Sequence, residues 1–200
     1  MFFVGKSRIL QYVLDTFLSV VGDYLLGFMV VCVFDVIKKR RSVRSFLEKS
    51  LEEEKLNAVL EAGRLAPSAS NRQEWRFVIV KDREVRKKIA EAANGQSFVG
   101  DAPVVIVACA VTDRQVMSCG LLCYPIDVAI ALDHISLVSV EYGLGTCWIG
   151  AFDEGRVKEI LGIPEEVRVV ELMPIGYPTP EIVKEKNRLP FSKLVRYEHW

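Results

Sequence analysis

The sequence predicts a domain of helices and strands in which helices cover both faces of a central sheet, and three observations carry that prediction. Val104-Val105-Ile106-Val107-Ala108-Cys109-Ala110-Val111 is a continuous apolar run, the pattern of a central strand buried on both sides. Ile126 to Tyr142 places Val128, Ala131, Leu132, Ile135, Val138 and Ser139 at helical spacing behind Pro125, which suits a helix start. The chain has 200 residues, which fits one domain, with or without an appendage, around a substantial core.

Taken in order, residues 1–32 form an extra apolar helix. Ile9, Leu10, Val13, Leu14, Phe17, Leu18, Val21, Leu25 and Phe28 keep helical spacing, while Gln11, Asp15, Ser19 and Asp23 make a polar stripe,. The longest stretch without charge, Tyr24 to Phe34, is about half of the roughly 20 residues a spanning helix needs. Three readings stay open: a helix packed on its own or a partner's surface, a membrane-associated helix, and an upstream extension before a start at Met29. A signal peptide fits poorly, because aspartates interrupt the apolar region and no small-residue cleavage site follows.

Residues 33–200 are expected to form the main domain. Phe34 to Lys39 reads as a short helix with Phe34 and Ile37 inward. Ser50-Leu51-Glu52-Glu53 has capping-box spacing and opens a helix whose apolar face runs through Leu56, Val59, Leu60 and Gly63 to Arg64,. Leu65 to Trp75 is a loop of small and polar residues, Phe77 to Val80 a buried strand, and Arg83 to Ala93 a helix with Val85, Ile89 and Ala92 inward,. On the long helix, Asp127, Asp133 and Glu141 are expected at polar positions, and Gly143 or Gly145 ends it. Thr146 to Phe152 reads as a strand-to-loop passage, Glu154 to Leu161 as a helix stopped by Gly162, and Val167 to Pro174 as the last core strand. Ile175 to Pro178 turns the chain into a charged arm, Glu181 to Trp200.

Composition narrows the function classes. The 26 basic and 26 acidic residues give zero net charge, which argues against nucleic acid as a partner. Half of the residues are hydrophobic and mean hydropathy is +0.22, a hint of apolar surface buried between subunits. An odd count of five cysteines suits a reducing cytoplasm. Cys119 and Cys123 lie one helical turn apart but lack a second ligand pair, so no metal site is expected. Of the two histidines, His134 lies within the long helix as a core or interface residue and His199 is penultimate, which leaves little basis for a Ser-His-Asp arrangement. Walker, dinucleotide, Gly-x-Ser-x-Gly and His-Glu-x-x-His motifs are all missing.

What stands out is Lys38-Lys39-Arg40-Arg41-Ser42-Val43-Arg44-Ser45-Phe46, with five cations and two hydroxyls in nine residues. Guanidinium forks, ammonium groups and hydroxyls together saturate phosphate oxygens. On this segment alone, a solvated basic helix end is an equal reading.

Four segments in order, namely Arg40-Arg41-Ser42-Val43-Arg44, Pro67-Ser68-Ala69-Ser70-Asn71-Arg72-Gln73, Gly145-Thr146-Cys147-Trp148-Ile149-Gly150 and Lys186-Asn187-Arg188-Leu189-Pro190, resemble the nitroreductase family of flavin mononucleotide (FMN) oxidoreductases. The resemblance runs from about Val33 to Trp200. It implies an α+β, three-layer nitroreductase-like fold, a mixed and mainly antiparallel sheet flanked by helices, in an intertwined homodimer with two flavins at the interface. It assigns Arg40, Arg41, Ser42, Arg44 and Arg188 to the flavin phosphate and ribityl chain. Pro67, Ser68, Ala69, Ser70, Asn71 and Gln73 would reach the flavin of the other subunit. Trp148, Ile149 and Gly150 would lie beside the ring, and the C-terminal arm would embrace the partner.

The implied activity passes hydride from NADH or NADPH through flavin N5 to a nitroaromatic, quinone or activated alkene in a ping-pong cycle, with no catalytic side chain required. The apolar segment Asp113 to Tyr124 is expected at the entrance. Two alternatives remain: a flavin-binding electron-transfer or sensor protein docked through its N-terminal helix, and a specialised flavin reaction such as reductive dehalogenation or flavin destruction.

Overall fold

A computed structural model describes residues 32–180 and 186–200. The helix expected over 1–32 lies outside the described residues, as do positions 181–185 of the arm. The elements are α1 (Val33–Lys39), α2 (Glu53–Arg64), β1 (Trp75–Val80), α3 (Arg83–Ala92), α4 (Ser97–Asp101), β2 (Val104–Ala110), α5 (Cys123–Glu141), β3 (Gly145–Thr146), α6 (Glu154–Leu161), β4 (Arg168–Gly176) and α7 (Phe191–Leu194).

The sheet order is β1-β2-β4-β3 with every strand pairing antiparallel. Outside these strands, Ser42 and Thr146 form an isolated parallel bridge. Every residue of β2 is buried, and because alternate side chains point to opposite faces, the strand feeds two cores. Ile106, Ala108, Met173 and Ile175 pack with Leu56 and Val59 of α2 and Val128, Leu132 and Ile135 of α5. Val105, Val107, Val169 and Leu172 pack with Ile89 of α3, Val99 of α4 and Val157 of α6. The result is three layers, α2 and α5 over the sheet and α3, α4 and α6 beneath it.

Local chemistry accounts for several boundaries. The Asp82 carboxylate accepts the Val85 N–H at 2.9 Å and opens α3, and Asp153 caps α6 through the Arg156 N–H at 3.0 Å,. Gly162 ends α6 in the left-handed region at φ 64°, where glycine carries no Cβ penalty. Gly63 lets α2 meet α5, since a Cβ there would lie 2.8 Å from Ile135 Cδ1.

Several expectations are corrected. Helix α1 buries Val36 and leaves Phe34 and Ile37 exposed. The capping box does not form: α2 starts at Glu53 with no side-chain cap, the Glu53 carboxylate that would close the box pairs with Lys81, and the N-cap Glu52 accepts the Tyr177 hydroxyl at 2.6 Å. Strand β1 begins two residues early at Trp75, β4 continues to Gly176 through the expected turn, and α4 and α7 were not anticipated. Asp127 is buried, not solvated. Helix α5 has the length and apolar content of a membrane span, yet half of its apolar window is packed inside the fold.

Candidate functional site

The basic segment after α1 is held in place by backbone bonds. The Val43 N–H donates to the Thr146 carbonyl at 2.9 Å, the Leu47 N–H to Tyr177 at 2.8 Å, and the Thr179 N–H to Ser45 at 3.1 Å. Val43 is buried between its charged neighbours, and it fits because a Cβ on Gly145 would come within 2.4 Å of Val43 Cγ2. The alternation leaves Ser42 and Arg44 on the exposed side.

Distant residues join this segment. The Lys186 ammonium donates to the Ile37 carbonyl at 2.7 Å, and its pKa is lowered first by burial and then by the charges of Arg40 and Arg188. Three cations therefore converge from opposite ends of the chain. Behind them lies the buried thiol of Cys147, pushed up chiefly by burial and drawn down in part by Arg44, the Ser42 hydroxyl and Arg40.

A larger groove of about 700 Å³ adjoins this cluster and shares Arg44 with it. Its five other cations, Lys49, Lys81, Arg83, Arg86 and Lys87, are interleaved with Glu48, Glu53 and Asp101, and most are engaged: Lys49 pairs with Glu52, Lys81 with Glu53 and Lys87 with Glu84, while Arg86 donates to the Gly100 carbonyl. Charge, not volume, therefore points to the Arg40 cluster as the stronger anion site.

The loop from Pro67 to Gln73 contains a 3-10 turn, Ala69–Asn71. Ser70, Asn71 and Gln73 all hold positive φ, at 50°, 56° and 52°, an uncommon backbone for side-chain-bearing residues and one that clusters at functional sites. It persists because it is tied down at several points. The Ala69 N–H donates to the Asp127 carboxylate at 3.1 and 3.2 Å, the Gln73 N–H to Ser68 Oγ at 3.0 Å, and Arg72 pairs with Asp113 at 2.7 Å and Glu74 at 3.2 Å. These ties anchor the loop to α5 and to the segment after β2.

The passage Trp148-Ile149-Gly150 follows β3. Ile149 exchanges two backbone bonds with Leu172 of β4, at 2.9 and 3.1 Å, which fixes Trp148 half-buried and Gly150 exposed. Facing Gly150 is Glu171, whose carboxylate oxygens lie 3.6 and 3.7 Å from where a Cβ on Gly150 would stand. Burial raises the Glu171 carboxyl to about 7.

Thus Arg40, Ser42, Arg44 and Arg188 gather at one place, next to Thr146 and Cys147 and a short run from Trp148 to Gly150. Arg41 lines a small groove with Val43, Gly145 and Thr146 beside them. Sequence reasoning gave no role of their own to Lys186 and Cys147, which lie within two of the four segments, and missed Asp127 and Glu171. Glu171 left a signal, as the one charge inside the apolar run Val169 to Ile175. All five cysteines are unpaired, and no metal-holding cluster exists among the described residues.

A sequence model of the nitroreductase family matches residues 37–111 and 92–177. The chain is 32% identical to an NADH dehydrogenase of Thermus thermophilus, over 78% of this chain and 91% of that one. It is also 32% identical to an FMN reductase [NAD(P)H] of Bacillus subtilis, over 78% and 70%. Among solved structures, a nitroreductase family protein from Clostridium novyi superposes with a TM-score of 0.71 at 36% identity, covering 74% of this chain and 86% of the other.

Proposed function

Because the chain belongs to the nitroreductase family, we propose that it is an FMN-dependent NAD(P)H oxidoreductase whose flavin phosphate is held where Arg40, Lys186 and Arg188 converge. The observation that carries this reading is geometric: the Lys186 ammonium, bonded to the Ile37 carbonyl at 2.7 Å, sits within electrostatic reach of Arg40 and Arg188, and a phosphate dianion would neutralise such a cluster of like charges. Ser42 and Arg44 add a hydroxyl and a further guanidinium at the same place, and Arg41 borders it. When bound, FMN supplies the two-electron chemistry, accepting hydride from NADH or NADPH and passing it to an electron-poor acceptor such as a nitroaromatic, quinone or activated alkene.

The chain's own residues bind and orient. Gly150, with no side chain, leaves its backbone N–H open to close approach. Trp148 and Ile149 form the apolar wall beside it, and Met117, Leu121 and Leu122 suit an aromatic acceptor at the entrance. Pro67 to Gln73, fixed by Asp127, is positioned as a preformed reader that serves the site of a second copy. That copy is expected because the arm exposes Leu189, Phe191, Leu194, Tyr197 and Trp200 together, a sequence of apolar anchors without cover in one chain. Residues 33–200 form this FMN-binding unit and 1–32 an appendage. The five unpaired thiols suit a reducing cytoplasm.

Purified chain incubated with FMN should retain the flavin, bleach it with NADH or NADPH, and recover its colour on adding a quinone or nitroaromatic. Protein that stays colourless sinks the cofactor reading. Flavin that is reduced but never reoxidised by any such acceptor favours an electron-transfer or sensor role.

A further inference from the structure

We propose that Glu171 is the proton-exchanging group of this site: its carboxylate takes a proton from solvent when negative charge accumulates beside Gly150 and returns it when that charge leaves. The inference rests on the FMN reading above. It begins with geometry. Glu171 pairs with Ala108 across the sheet, next to a register shift that leaves Val170 without a partner on β2. Such bulges re-aim a side chain and recur beside active sites. Here the bulge coincides with the one charged residue in the run Val169 to Ile175, and the carboxylate ends against Gly150, where no side chain intervenes.

The surroundings make its ionisation responsive. On the passage that faces it, the titratable group is the Cys147 thiol, with Arg40 and Arg44 acting on that thiol from the basic segment. β2 opposes it with apolar Ala108, and α5, which covers this face, brings Tyr124 and Asp127 to the same core; Asp127 is committed to Ala69. On its own strand the nearest charge is Arg168, engaged by Glu154 at 2.9 Å. Burial, not a charged neighbour, sets the Glu171 pKa at about 7, so a charge arriving at Gly150 acts on a group already half-titrated near neutrality.

The balance is simple. Hydride from NAD(P)H brings two electrons and one proton to the site. The second proton comes from water and forms only the O–H bond of the Glu171 carboxylic acid. Each proton taken up with two electrons adds about 30 mV per pH unit to the slope of the midpoint potential.

The test is the midpoint potential of the FMN-loaded chain between pH 5 and 9. Wild type should steepen above about pH 7, towards about 60 mV per pH unit, and Glu171→Gln should lose the added slope. Gly150→Ala, whose methyl makes only ordinary contact with the carboxylate, should bury it further and move the steepening to higher pH, which keeps the proposal testable if Glu171→Gln loses flavin. Superimposable slopes in flavin-loaded wild type and variants overturn the inference alone. Infrared titration of the flavin-free chain adds an independent arm: a Glu171 carboxyl that titrates near the ordinary value of 4.5 overturns the inference whatever the cofactor. A carboxyl that titrates near 7 in a chain that never retains flavin overturns the cofactor reading, and the linkage with it.

Discussion

At the scale of single residues, two carboxylates shape the site without belonging to any recognisable motif. Asp127 is buried in the first turns of α5 and accepts the Ala69 N–H. Asp127→Ala should destabilise the fold by about 1–3 kcal/mol, because a buried donor loses its partner, and chemical denaturation measures it. Glu171 acts on stability through pH. Its folded-state pKa is raised from 4.5 to about 7, so the native state holds a proton that the unfolded chain releases. The resulting penalty is absent below pH 4.5, grows through the interval and is complete above 7. Glu171→Gln should therefore be more stable than wild type above pH 7, by on the order of 1–2 kcal/mol after solvent screening, and the gap should close towards pH 4. The two differ in how legible they are in the sequence: Glu171 stands out as the one charge between Val169 and Ile175. Asp127 shares its spacing with solvated Asp133 and Glu141, and only the distant loop at Ala69 distinguishes it.

At the scale of elements, the anion cluster depends on how closely the basic segment lies on the β3–β4 edge. Gly145 permits this approach, since a Cβ there would come within 2.4 Å of Val43 Cγ2, and so to a lesser degree does Gly176, whose Cβ would stand 3.2 Å from Phe46 Cδ1. Gly145→Ala should cost about 1–3 kcal/mol through overpacking and weaken FMN retention together with stability. Asp153→Ala, which removes only the α6 cap, should cost about 1 kcal/mol and leave retention unchanged; thermal melts alongside flavin titration separate the two. The elements most legible in the sequence are those with local causes: the all-apolar β2, α3, α6 with its Gly162 stop, and α5. Boundaries failed where a tertiary partner won. Lys81 takes the Glu53 carboxylate, so the capping box stays open, while Tyr177 takes the Glu52 carboxylate at the N-cap and holds its pKa down to about 2. Val36 turns inward on α1 in place of Phe34 and Ile37.

At the scale of the whole molecule, three layers bring residues 40–44 and 186–188 together, although about 140 positions of sequence separate them. The candidate site was legible as four segments in order, and their convergence was not, because Lys186 meets Arg40 only through the fold. The arm leaves Leu189, Phe191, Leu194, Tyr197 and Trp200 exposed, the surface on which the proposed second copy is tested. The intact chain should sediment as a dimer, and deletion of residues 189–200 should yield a monomer with weakened flavin retention, measured by analytical ultracentrifugation with absorbance at the flavin wavelength. A deletion variant that stays dimeric would remove the arm from the interface.

The phosphate cradle at Arg40, Lys186 and Arg188 is the central claim, and the most direct measurement compares FMN with riboflavin, which lacks the phosphate, by fluorescence titration. FMN should bind at least about a hundredfold tighter. Arg40→Ala and Arg188→Ala should each erode that preference by about tenfold or more while leaving riboflavin affinity unchanged. Equal affinity for the two ligands, or a preference that survives both substitutions, would contradict it.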